Sequence, residues 1–146
     1  MGSRRKGRIL AFQALYSWEI NPQKQETLFR FEWLDEEKRN KITEDTYIFA
    51  RLLISGTIEN IETVDKAITR QLEHWHFSRV AKVDLAIMRI SVYSLLFQKD
   101  IPSSVTIDEA INISKLYGTT DSYRFINGIL DGIVKTQNTN NEHLKK

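Results

Sequence analysis

Apolar residues recur at helical spacing along nearly the whole chain. Ile9, Phe12, Tyr16 and Ile20 fall three or four residues apart, with Leu15 widening the face, and predict a helix over 4–20. Asn21-Pro22 ends it, because the residue before proline is pushed out of the α region. Leu28, Phe31 and Leu34 predict a short helix over 26–39, with Asp35 to Arg39 as its solvated end. Thr43 then reads as an N-cap, with Glu44 and Asp45 in the first turn of a long helix reaching about residue 72. The most apolar run, Leu85 to Phe97, is interrupted only by Arg89, Ser91 and Ser94. Thirteen residues are long for a strand, so 79–98 reads as a central helix buried nearly all round. Pro102 marks the clearest break, after which Ser103 or Ser104 caps a helix ending near Tyr117. Gly118 is expected as its left-handed C-terminal residue. Thr120 or Asp121 caps the last helix, whose face is Phe125, Ile126, Ile129, Leu130, Ile133 and Val134. The polar residues 137–146 are expected to fray as a flexible tail.

These periodicities predict an all-α fold. A length of 146 residues favours one domain, or two small subdomains sharing a core. There are no cysteines, which excludes disulfides, thiol catalysis and cysteine-ligated metal sites. No stretch reaches the ~18 apolar residues of a membrane span, and the N-terminus lacks a secretory apolar core, so the expected compartment is cytoplasmic.

The formal net charge of +2 says less than its distribution. Residues 1–18 carry Arg4, Arg5, Lys6 and Arg8 and no acid, whereas residues 19–73 carry eight cations against twelve acids. A basic N-terminus of this kind is a common nucleic-acid arm, since phosphate contacts supply most of the affinity. Tyr16 lies on the same predicted helix, and Tyr117, Tyr123 and Phe125 cluster around the Gly118–Asp121 turn. Aromatics beside cations suit unstacked RNA bases. Signals for catalysis are poor by comparison. Asp108 and Glu109 are adjacent on a helix and so do not face each other. In His74-Trp75-His76 the two histidines would point to different sides of a helix, with no further ligand pair at firm spacing. The six glycines are scattered rather than gathered in a phosphate loop, and Gly128, inside a helix, is expected to mark close helix packing.

Arg4-Arg5-Lys6-Gly7-Arg8 followed by Phe12-Gln13-Ala14-Leu15-Tyr16-Ser17-Trp18 resembles the opening of the bacterial transcription antitermination factor NusB family. Val83 to Ile90 resembles the family's central helix, and Ile101-Pro102 through Ala110 the start of the next. Tyr117-Gly118, Asp121-Ser122 and Phe125 to Asp131 resemble its C-terminal signature. The match runs in order from about residue 4 to residue 134 and fades over 23–43. Leu85 stands where many relatives have a basic residue, and Ser94 where a glutamate is usual.

The resemblance implies two small helical bundles, about 4–75 and 76–136, packed into one domain, with neither catalysis nor cofactor. It implies binding of single-stranded boxA-type RNA together with NusE, a small-subunit ribosomal protein. The transcribing RNA polymerase complex then reads through terminators, notably in ribosomal RNA operons. Arg4, Arg5, Lys6, Arg8, Tyr16, Tyr117, Asp121 and Phe125 become the expected RNA contacts, and Asp84 the expected NusE contact. Two rivals stand beside this reading: a detached accessory module of an RNA methyltransferase, and a purely protein-binding helical adaptor whose basic arm is incidental.

Overall fold

The computed structural model describes residues 2–73 and 76–144, and regular structure within that range is entirely helical. Helix α1 (Ser3–Ile20) begins in the basic segment and stops at Asn21, whose extended backbone precedes Pro22 as the proline demands. The helix expected over 26–39 is instead two short ones, α2 (Gln25–Leu28) and α3 (Glu36–Lys41). Between them Phe31 takes left-handed backbone (φ 50°) while its ring is buried. Asp35 is therefore a helix start rather than a solvated end, and its carboxylate accepts a hydrogen bond from the Lys38 N–H at 2.8 Å.

Helix α4 (Glu44–Glu59) opens as expected, with Thr43 Oγ1 accepting from the Thr46 N–H. It does not run to residue 72. It breaks at Asn60, whose backbone leaves the α region (φ −114°, ψ 23°) while its N–H and its side-chain amide both donate to the Gly56 carbonyl, at 3.1 and 2.8 Å, and α5 (Ile61–Arg70) starts afresh. A 3-10 turn at Phe77–Arg79 leads into α6 (Lys82–Phe97), which packs on α1, α4, α5, α7 and α8 and is the central helix its composition demanded. Gly56 lets α4 approach it, since a Cβ there would strike the Tyr93 ring.

Helix α7 (Ser103–Tyr117) is capped by position Pro102, not by either serine side chain. Gly118 is extended (φ −91°, ψ −171°) rather than left-handed. Glycine is needed there for room, because a Cβ would come within 2.6 Å of Ser122 Oγ and 2.8 Å of the Ser114 carbonyl. Helix α8 (Ser122–Leu144) continues through the polar segment where the pattern ended at 136, since no proline or glycine interrupts it after Gly132. Gly128 is not a packing point: it faces open space on the outer side of α8.

A single hydrophobic cluster spans α1, α4, α5, α6, α7 and α8, so the two halves of the chain share one core around α6. Arg89 sits in it at 4% exposure. Its guanidinium donates in parallel to both Asp65 oxygens at 2.9 Å and to Glu19 at 3.1 Å, joining α6 to α5 and α1. The Trp18 and Phe77 rings lie against the same guanidinium.

Candidate nucleic-acid interface

The four basic residues of the N-terminal segment are the first two turns of α1, and that changes what each can do. Arg4 is exposed, with its guanidinium 4.5 Å from the centre of the Phe49 ring on α4. Lys6 is half-buried. Arg5 makes a two-pronged contact with Glu109 of α7, Nε and Nη2 donating at 2.9 and 3.0 Å. That bond, together with the charges of Arg5 and Arg8, holds the Glu109 carboxyl below the ordinary carboxylate range against the opposing effect of burial. Arg8 is only 8% exposed and also lies over Phe49. Burial pushes its pKa down, the Glu109 charge opposes that, and Arg4 and Arg5 add to it. The segment is thus a fixed arginine cluster at the mouth of a cleft of about 700 Å³, not a loose arm.

Seven and eleven residues beyond Arg5, Phe12 and Tyr16 return to within about 20° of the same face of α1. Phe12 meets Tyr117 of α7 with ring centroids 5.1 Å apart. Arg5–Glu109 and Phe12–Tyr117 therefore join the same two helices, and α1 and α7 form a seam with charge at one end and aromatic rings at the other. A second cleft of about 360 Å³ opens at the aromatic end, between Phe12, Tyr16, Val83 and Tyr117.

Phe125 does not join Tyr117. It lies with Arg79, Asp84, Asp121 and Ser122 around a third cleft of about 330 Å³, between the start of α6 and the α7–α8 turn. Asp121 is exposed at the cap position of α8, where its carbonyl accepts the Phe125 N–H at 3.4 Å. Asp84 is not a surface acid. It is 8% exposed in the first turn of α6, and burial raises its pKa against the lowering effect of the Ser122 hydroxyl. Ser122 Oγ in turn accepts the Thr119 N–H at 2.9 Å, so Asp84 touches the network that shapes the α7–α8 turn.

Leu85 is in the core, and the Ser94 hydroxyl donates to Gln98 Oε1 at 2.6 Å, so both departures from the family pattern are internal. Among the described residues no group of three or more His, Asp or Glu is placed to hold a metal, and no helix is long and apolar enough to cross a membrane. His74 and Trp75 of the His74-Trp75-His76 motif lie outside the described residues. Trp33 completes the aromatic cleft; the helical pattern over 26–39 sets it at the edge of an apolar face and gives it no place over α1.

Comparison with known proteins matches residues 5–135 to the NusB family. The transcription antitermination protein NusB of Treponema pallidum is 51% identical over 135 residues, covering 91% of this chain and 93% of that protein. A structure of T. maritima NusB is 42% identical, covers 90% of each chain and superposes with a TM-score of 0.78. A crystal structure of antitermination factors NusB and NusE in complex with double-stranded RNA matches with a TM-score of 0.81 at 26% identity, over 93% of this chain and 98% of that one. With a family match over that span and one residue in two shared with a curated member, this chain belongs to the NusB family.

Proposed function

We propose that this chain is a transcription antitermination factor that binds boxA-type RNA together with NusE. In this role it helps the transcribing RNA polymerase complex read through terminators, notably in ribosomal RNA operons, and it works in the cytoplasm. The reading has no catalytic step. The observation that carries it is the α1–α7 seam, in a chain of this family: a fixed arginine cluster continues along one helix face into exposed aromatic rings. Cations hold phosphates and aromatics stack unpaired bases, which supports a single strand lying along the seam. Residues 1–136 form the binding unit on this reading, and 137–146 contribute nothing to it.

Arg4, Arg5, Lys6 and Arg8 supply the positive field, Tyr16 and Tyr117 the stacking faces, and Phe125 and Asp121 border the strand at the α7–α8 turn. The cleft holding Asp84 and Asp121 sets two carboxylates against one cation, Arg79, and that negative excess suits a basic ribosomal protein such as NusE. The deciding experiment is a titration with boxA-type single-stranded RNA, with and without NusE, beside a duplex of the same sequence. Saturable binding of the single strand, tightened by NusE, is expected. NusE binding without any RNA binding would make the chain a protein adaptor.

Two sets of substitutions probe the strand's path. Arg4 and Lys6 are free of the Glu109 contact, so neutralising both to glutamine is expected to flatten the log–log salt dependence by about 1.4. Neutralising Arg5 and Arg8 as well raises that to about 3 only if RNA draws Arg5 from Glu109 and reaches the buried Arg8. An unchanged slope in the double variant would make the two residues solubilising only. Asp121→Asn keeps the cap position and removes a carboxylate beside the proposed strand. It is expected to bind RNA more tightly, most clearly at low salt where screening is weakest. Equal or weaker binding at low salt would show that the carboxylate does not face phosphate.

A further inference from the structure

Residues 23–43, where the likeness to the family fades, deliver a large exposed ring to the aromatic end of the seam. We propose that Trp33 closes a base-stacking slot with Tyr16 and Tyr117, taking one unstacked base of the RNA whose phosphates lie at the arginine end of α1. The proposal rests on the RNA-binding reading above and adds a residue to it. Trp33, Tyr16 and Tyr117 are all among the exposed large side chains of the molecule, at 40%, 38% and 44%. They share one cleft with Phe12, Gln13 and Val83, and none of its lining residues is charged. An uncharged slot walled by aromatic rings is what a nucleobase needs, because every base has a π-face.

Trp33 is held there by three separate devices. Its indole Nε1 donates to Gln13 Oε1 of α1 at 3.0 Å. Its ring meets the buried Phe31 edge-on, with centroids 5.3 Å apart and planes at 70°. Phe31 itself has φ 50°, the one positive φ at a non-glycine among the described residues. A bulky residue adopts that conformation only when its surroundings enforce it. Here the strained turn sinks Phe31 into the core and leaves the next residue but one, Trp33, outside it, over α1. A tryptophan fixed by a hydrogen bond, an edge contact and a strained turn, yet left exposed, is arranged for a ligand.

Continuity favours an RNA base over a protein side chain. Arg5, Phe12 and Tyr16 lie on one face of α1, and eleven residues of helix span about 16 Å. A strand with phosphates at the Arg4–Arg5 end therefore reaches the slot within a few nucleotides.

The test is an equilibrium titration of the parent, Trp33→Ala and Trp33→Phe with labelled single-stranded boxA-type RNA, alone and with NusE. The same RNA is then scanned with an abasic site at each position in turn. Trp33→Ala is expected to bind about tenfold more weakly. Its salt slope stays that of the parent, since no charge is removed, and Trp33→Phe recovers most of the loss. One abasic position should weaken the parent and leave Trp33→Ala unaffected, the coupling expected of direct contact. Trp33→Leu, which keeps bulk against Phe31, carries the same expectation should the alanine variant fail to fold. Equal RNA affinity in parent and variants overturns the stacking role and leaves the RNA-binding reading intact. So does a loss confined to NusE binding, which would give the slot to the protein partner. A parent that binds no RNA overturns both.

Discussion

Arg89→Ala is expected to lower folding stability by about 3–5 kcal/mol, the range for removing one member of a buried ion pair. The guanidinium is 4% exposed and donates to Asp65 twice and to Glu19 once. Alanine leaves two carboxylates facing a hole lined by Trp18 and Phe77. Each carboxylate keeps about a quarter of its surface in water, which places the expected loss toward the lower end of that range. Chemical denaturation reads it directly, and a loss under about 1 kcal/mol would mean that the contact is of the weak surface kind. Combining Arg89→Met with Asp65→Leu and Glu19→Gln should recover much of the stability, because a well-packed apolar set often replaces a buried ionic one without net cost.

The same cluster sets a direction for pH. Burial pushes the Glu19 carboxyl up, but the hydrogen bond and charge of Arg89, with Lys82, outweigh it and leave the carboxyl below its ordinary range. A folded-state pKa that is depressed contributes stability present above the unfolded pKa and lost as pH falls through the folded one. Glu109, held down by Arg5, acts in the same direction. Acid should therefore loosen both ties of α1, the one to α6 through Glu19 and the one to α7 through Glu109.

The elements that followed periodicity were legible in the sequence. The starts of α1 and α4, the centrality of α6 and the α7–α8 turn all come from apolar spacing and capping residues. The elements that failed did so for local backbone reasons that no periodicity carries. Asn60 sits on a continuing helical pattern, and its non-helical backbone, with the side-chain amide bonded back to Gly56, splits α4 from α5. Phe31 belongs to an apolar face on paper, and its left-handed backbone divides α2 from α3.

Long-range pairs were equally hidden. Arg89 meets partners 24 and 70 residues away, and Arg5 meets one 104 residues away, so a basic run that reads as a free arm is partly spent on holding α1 to α7. The positions of the arginines and of Tyr16 and Tyr117 on one seam were legible as types of residue but not as a surface. Trp33 reads as the edge of a helical face over 26–39, and the left-handed turn at Phe31, which no periodicity carries, sets it over α1 instead. Gly128 differs from its expected packing role because helix position alone does not say which side of the helix is empty.

Asp84→Lys is expected to cost about 3 kcal/mol of stability before any partner is added. The carboxylate lies in the first turn of α6 and against Ser122, the first residue of α8. Both helices present the positive ends of their dipoles to it, so an ammonium there meets repulsion from two sides in a site with little water. Denaturant titration of the isolated protein measures the loss, and a variant as stable as the parent would return Asp84 to the surface. Asp84→Asn keeps the shape and a hydrogen-bond acceptor for Ser122, and is expected within about 1 kcal/mol of the parent. Its pH dependence carries a sign. Burial raises the Asp84 pKa on folding, so the parent's carboxyl contributes stability that is full below the unfolded pKa and is lost as pH rises through the folded one. Asparagine never ionises, and the Asn variant should gain on the parent as pH rises through that window. Because it stays folded, Asp84→Asn is also the variant for the partner. Weaker NusE binding with unchanged RNA binding would assign the negative charge of that cleft to the ribosomal protein, whereas unchanged NusE binding would leave Asp84 as a tie between the starts of α6 and α8.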